Sequence, residues 1–141
     1  MDIKRIAIGT VVGGITLYVV GYVMFEIIFG SFYAANTVAP RSETILWANV
    51  AHSFVFGLLV TLAIETRAAA PTVANGFVTG AVIGSLAWLG AHLSYYATAD
   101  VITYKLIIVD PLNEFVHTGI AGAVIAAAVA RMPKAVRLAS L

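Results

Sequence analysis

Residues 76–96 read Gly-Phe-Val-Thr-Gly-Ala-Val-Ile-Gly-Ser-Leu-Ala-Trp-Leu-Gly-Ala-His-Leu-Ser-Tyr-Tyr, inside a run of 32 uncharged residues between Arg67 and Asp100. A bilayer core needs about 20 apolar residues at 1.5 Å rise each, so this run is long enough to span. Within it Gly76, Gly80, Gly84, Trp88, His92 and Tyr96 recur every fourth position. Such a spacing puts them along one helical face. Small residues so spaced let helix backbones approach closely. The stripe that runs into His92 and Tyr96 is therefore expected to face other helices rather than lipid.

Three more stretches read the same way. Twenty uncharged residues lie between Arg5 and Glu26, and 21 between Glu43 and Glu65. The last apolar stretch, Leu106 to Ala130, is interrupted by Asp110, Pro111 and Glu114. The spacing predicts helices near 6–30, 44–65, 72–98 and 106–130. The first run exceeds the apolar region of about 7–15 residues found in signal peptides, so it is read as a retained helix. The whole chain is 61% hydrophobic and 11% charged, with a mean hydropathy of +0.97. Soluble domains carry roughly 25% charged residues, and a soluble fold of 141 residues could not hide so much apolar surface.

The expected fold is all-α: one integral membrane domain over 1–141, a four-helix transmembrane bundle, antiparallel and up-down. Lys4, Arg5, Arg67, Arg131, Lys134 and Arg137 fall on one side, against Arg41 and Lys105 on the other. The excess of basic residues marks the cytoplasmic side, which places both termini in the cytoplasm and the protein in the inner, cytoplasmic membrane. The loops near Ser31–Glu43 and Asp100–Lys105 are then extracytoplasmic. Ser42 is expected to cap the second helix and Pro71 to open the third. Asp110-Pro111 reads as an N-cap followed by a first-turn proline, with Lys105–Val109 entering as an irregular strip.

Charge and composition exclude several functions. A net charge of +1 with no basic stripe speaks against a nucleic-acid partner. The chain has no cysteine, which removes disulfides, thiolate catalysis and Cys-ligated metals. No nucleophile triad, phosphate loop or dinucleotide fingerprint is present.

Five ionisable residues stand out because all fall in the same half of the membrane: Glu26, His52, His92, Glu114 and His117. At 1.5 Å per residue their depths below the outer boundary are about 6, 12, 9, 12 and 17 Å. Such residues inside a membrane are costly and point to function. Three imidazoles and two carboxylates suit a divalent transition metal, zinc, iron, manganese or copper. Glu114 and His117 form a single Glu-x-x-His pair, half of a di-iron pattern, so a mononuclear site is expected, with His52, His92, Glu114 and His117 as ligands and Glu26 as a further ligand or a proton acceptor. Asn49, Tyr95, Tyr96 and Asn113 are candidates to orient those ligands. Haem b between His52 and His117 is the weaker cofactor reading.

Each residue also has a plainer reading. Asn49 and Asn113 suit interhelical hydrogen bonds, and Phe32, Tyr33, Trp47, Tyr95 and Tyr96 suit an interfacial aromatic belt. Glu65 and Arg67 read as solvated ends. Two other functions stay open: an accessory subunit packed in a larger membrane complex or homo-oligomer, and a small proton-coupled transporter with a proton relay or polar pocket. The sequence does not choose between an enzyme and a binding protein. Membrane lipid is the expected neighbour.

Three stretches carry a family resemblance. They are Phe29-Gly30 with aromatics after it, Gly80-Ala-Val-Ile-Gly84-Ser-Leu-Ala-Trp88-Leu-Gly90, and Tyr104-Lys-Leu-Ile-Ile-Val-Asp110 leading to Gly119 and Gly122. Together they cover about half the chain, which resembles a family of small bacterial four-helix membrane proteins known as a domain of unknown function. The resemblance implies the four-helix topology and transfers no functional residue. Where the family has a Trp-Tyr pair late in its first helix, this chain has Val23-Met24-Phe25-Glu26.

Overall fold

A computed structural model describes residues 2–67 and 70–132. Lys134 and Arg137, two of the basic residues used above, lie outside the described residues. Helix α1 spans Ile3–Gly21 and continues without a break as a π-helix, Tyr22–Ile28. The short α2 covers Gly30–Asn36, α3 Leu46–Glu65, α4 Val73–Thr98 and α5 Tyr104–Ala130. Four of these segments, Ile3–Ile28, α3, α4 and α5, are long and apolar enough to cross a membrane. The chain is thus an all-helical, multi-pass membrane protein. Its many exposed Val, Ile and Leu side chains are what lipid-facing surfaces require.

Local chemistry explains most helix ends. Asp2 accepts from the Lys4 amide at 2.9 Å and caps α1. Thr72 accepts from the Asn75 amide at 3.2 Å and caps α4, so Pro71 stands just outside the helix it was expected to open. Helix α3 starts after Ile45 with no side-chain cap, and Ser42 lies before it. The expectation for Asp110-Pro111 fails. Helix α5 begins at Tyr104, so Lys105–Val109 is helical and Pro111 lies inside the helix. Proline removes one ladder donor, whereas an irregular strip would leave several backbone groups unpaired at membrane depth. The Pro111 carbonyl also accepts from the Ser85 hydroxyl of α4 at 2.8 Å.

Helix α5 is the central element: 56% of its apolar window is buried, against 22–28% in the other three spans. It packs along α4 and against α1, which in turn packs along α3, while α3 and α4 barely touch. The α4–α5 register runs in opposite senses. A Cβ on Gly76 would strike the Gly122 backbone, one on Gly80 the Thr118 carbonyl, and one on Gly84 the Thr118 side chain. The glycine stripe is therefore what brings these two backbones together, and Thr118 Oγ1 donates to the Gly80 carbonyl at 2.9 Å across the seam.

The two ends of the bundle are held differently. At one, the clamp end, Arg5 Nη2 and Nε reach the two Glu65 carboxylate oxygens at 2.8 and 2.9 Å, and Nη1 donates to the Met132 carbonyl at 2.5 Å. Both side chains are buried, so Glu65 is an ion-pair partner rather than a solvated end. Arg67 is exposed, as expected. Val60, Ile64, Ile125, Ala126 and Val129 form the apolar core nearby. At the other end, the bridge end, the α2–α3 and α4–α5 connections meet. Thr37 and Ile102 form an isolated antiparallel bridge. The Val38 amide donates to Val101 and the Thr103 amide to Asn36, each at 3.0 Å, and the Thr103 hydroxyl donates to Asn36 Oδ1 at 2.7 Å.

Candidate functional site

A cavity of about 570 Å³ occupies the bridge end, between α1 with its π-helical continuation, α2, α3, α4 and α5. Glu26, His52, His92, Glu114 and His117 all border it. A set of residues chosen by depth alone thus meets at one space. They do not meet as a ligand cage. Among the described residues no group of three or more His, Asp or Glu side chains is placed to hold a metal ion.

The reason lies in what each side chain already does. His117 is buried between two partners, with Nδ1 3.0 Å from Glu114 Oε2 and Nε2 2.9 Å from the Leu17 carbonyl. A carbonyl only accepts, so Nε2 carries a hydrogen. No ring nitrogen is left for a metal or for haem iron without breaking one of these bonds. Gly21 makes the placement possible, since a Cβ there would lie 3.1 Å from His117 Nε2. His52 and Glu26 are exposed rather than buried. His52 lies on the cavity rim against Phe56 and Trp88, with ring centroids 5.4 and 5.7 Å away.

Glu26 owes its position to the π-helix. The Phe29 amide donates to the Met24 carbonyl, five residues back, at 2.8 Å. The wider turn rotates the chain beyond Tyr22, burying Met24 and leaving Glu26 exposed at the cavity border. Single π-helical turns recur at functional sites.

Two residues that the sequence reading set aside are central. Asp110 is buried and caps no helix. Its Oδ1 accepts from the Tyr33 hydroxyl, and its Oδ2 lies 3.5 Å from His92 Nδ1. Tyr33 turns into the bundle: its hydroxyl also accepts from Asn113 Nδ2 at 3.0 Å, and its ring meets Phe25 edge-on at 5.2 Å. Burial, reinforced by the Asp110 carboxylate, pushes the Tyr33 phenol well above its ordinary range, so it stays protonated and donates. His92 is also buried, yet its Nδ1 has no hydrogen-bond partner. The separation from Asp110 is an ion-pair distance without hydrogen-bond alignment.

The expected orienting residues divide. Asn113 does hold a member of the cluster, Tyr33. Asn49 borders the cavity from an exposed position. Tyr95 and Tyr96 are exposed, and of the two only Tyr95 stands near a histidine, 6.4 Å from His92 between ring centroids. Asp110 was legible in the sequence as a fourth polar position on the same face as Asn113, Glu114 and His117, had the following proline not suggested a cap.

Chemically the cavity offers three carboxylates, Glu26, Asp110 and Glu114, and all three histidines of the chain. Among the described residues that line it there is no lysine or arginine. Compared with protein families, curated proteins and solved structures, the chain matches none.

Proposed function

We propose that this protein is a small carrier-type binding protein of the cytoplasmic membrane, whose bridge-end cavity takes up a small molecule in linkage with protons. In this reading the bundle is antiparallel and up-down, with both termini and the clamp end in the cytoplasm and the cavity toward the outside. The basic residues support that orientation, and the opposed register of α4 and α5 supports the antiparallel path.

The cavity itself carries the reading. Its volume of about 570 Å³ falls in the range of roughly 300–1,000 Å³ usual for small-molecule sites. A network present only to hold helices together would fill its space and satisfy its polar groups. This one leaves a cavity and an unpaired buried nitrogen on His92.

The proton linkage follows from the Glu114–His117 pair. With Nε2–H committed to Leu17, the 3.0 Å contact between Nδ1 and Glu114 Oε2 needs one proton between the two groups. That proton rests either on the carboxyl or on the imidazole. A ligand that draws on the Glu114 charge displaces it, with Asp110, Glu26, His52, His92 and Tyr33 facing the same space. A metal site has no comparable support, because His117 is already engaged at both nitrogens.

The test uses the absence of cysteine from the chain. Ser53 is buried and borders the cavity. Ser53→Cys should react with a membrane-impermeant methanethiosulfonate applied outside intact cells, and not with the same reagent applied to inverted vesicles. Reaction only after denaturation would overturn the open cavity. Reaction only from the inner face would overturn the orientation.

A further inference from the structure

The lining of the cavity selects the charge of its ligand. Resting on the binding role just proposed, we infer that the ligand is an organic monocation with an apolar body, a protonated amine or a quaternary onium ion.

The negative groups there are only partly answered from within the protein. Glu114 is matched by His117 at 3.0 Å. Asp110 accepts from the neutral Tyr33 hydroxyl, and its other oxygen faces His92 Nδ1 at 3.5 Å without a hydrogen bond. Glu26, at the border, makes no hydrogen bond or ion pair among the described residues. No lysine or arginine of the described lining offsets these carboxylates. An anion entering such a space meets three carboxylates and no lysine or arginine to hold it. A compact metal ion finds no cluster of three donors among the described residues.

An organic cation finds both of the surfaces it needs. Tyr18, Tyr22, Phe25, Tyr33 and Trp88 border the same space as the carboxylates. The faces of aromatic rings attract ammonium and larger onium ions, most strongly where water is excluded. The apolar body of such a ligand packs against Leu17, Leu46 and Leu106. The unpaired His92 nitrogen, buried beside Asp110, is positioned to accept a hydrogen bond from a protonated amine. Exposed Glu26 and His52 stand at the rim, where the cation first arrives.

Two probes of nearly equal size and opposite sign separate the possibilities: tetraphenylphosphonium and tetraphenylborate. The readout is Trp88 fluorescence in the full-length Trp47→Phe protein in mild detergent, since Trp47 and Trp88 are the two tryptophans. The phosphonium should bind saturably and the borate should not. Asp110→Asn should weaken phosphonium binding about tenfold, the effect of one lost charge–charge attraction in a partly buried site. Glu26→Gln, at an exposed position with no hydrogen bond or ion pair among the described residues, should weaken it by a smaller factor. Equal saturable binding of both ions, unaffected by either variant, would leave the pocket standing and overturn the cationic class. Saturable binding of the borate alone would overturn it likewise. If neither ion binds while Ser53→Cys is labelled from outside, the open cavity stands and the organic-cation inference falls.

Discussion

The clamp end and the bridge end both place charge inside an apolar bundle, and they do so in opposite ways. At the clamp end Arg5 meets Glu65 through two parallel contacts at 2.8 and 2.9 Å and caps the Met132 carbonyl besides. Charges are matched one to one, and the same half of the bundle holds the apolar core of Val60, Ile64, Ile125, Ala126 and Val129. At the bridge end three carboxylates face three histidines around a cavity of about 570 Å³. One buried nitrogen there has no partner. A buried polar group without a partner is costly, so a saturated pair is the mark of structure and an unsaturated cluster around open space is the mark of a site.

The sharpest way to break this contrast is at Arg5. Arg5→Ala strands the Glu65 carboxylate in a buried position and should lower stability by about 3 kcal/mol, read as a drop in the detergent melting temperature and in folded yield. The double replacement Arg5→Met with Glu65→Leu should recover most of that loss, because an apolar pair of similar volume substitutes well for a buried ion pair. Failure of the double variant to recover would mean that the clamp does more than hold helices.

The next largest effect belongs to the seam that serves both ends. Gly80→Ala drives a Cβ into the Thr118 carbonyl and should cost about 1–3 kcal/mol through forced backbone movement. Gly90 lies on the same helix with nothing within 4 Å of an added Cβ, so Gly90→Ala should stay within about 0.5 kcal/mol of the parent. Equal melting temperatures for the two variants would refute the close α4–α5 approach.

At the bridge end, Tyr33→Phe should cost only about 1 kcal/mol, since Asp110 and Asn113 gain access to the cavity when the hydroxyl is lost. The Tyr33 contribution has a defined pH range. Its phenol is raised above the ordinary value by burial and by Asp110, so the stabilisation is constant through neutral pH. It is lost only in alkali, where the unfolded chain releases the proton first. Alkaline denaturation of the parent should therefore be steeper than that of the phenylalanine variant.

The smallest effect is spectroscopic. Trp88 has His52 and His92 at centroid distances of 5.7 and 5.6 Å. In a Trp47→Phe background His52→Gln and His92→Gln should each change the emission of Trp88, with no change in helix content. Emission untouched by both would place neither histidine beside the indole.

Much of the architecture was legible because membrane spans announce themselves by length and composition. Ile3–Ile28, Leu46–Glu65, Val73–Thr98 and Tyr104–Ala130 lie within a few residues of the segments read from hydropathy. The glycine stripe 76-80-84 announced a close helix–helix contact, though not its partner, for the same reason: helix periodicity maps spacing onto a face. Depth works similarly, since the rise per residue is constant, and so one layer of five ionisable residues was visible before any contact was known.

What the chain alone did not decide was rotation and pairing. A metal cage needs donors converging within a few ångströms in three dimensions, whereas sequence spacing orders them along one axis. The π-helical turn after Gly21 changes the phase of the first span and puts Glu26 on the border. The helical path through Pro111 turns Asp110 from a cap into the partner of Tyr33 and the neighbour of His92. The approach of Leu17 to His117, and of Arg5 to Glu65, joins residues 100 and 60 positions apart. Apolar spans and a shared level along the helices are local properties and were legible in the sequence. Which polar groups satisfy one another, and which are left facing an open cavity, is a property of packed helices and was settled only by the tertiary structure.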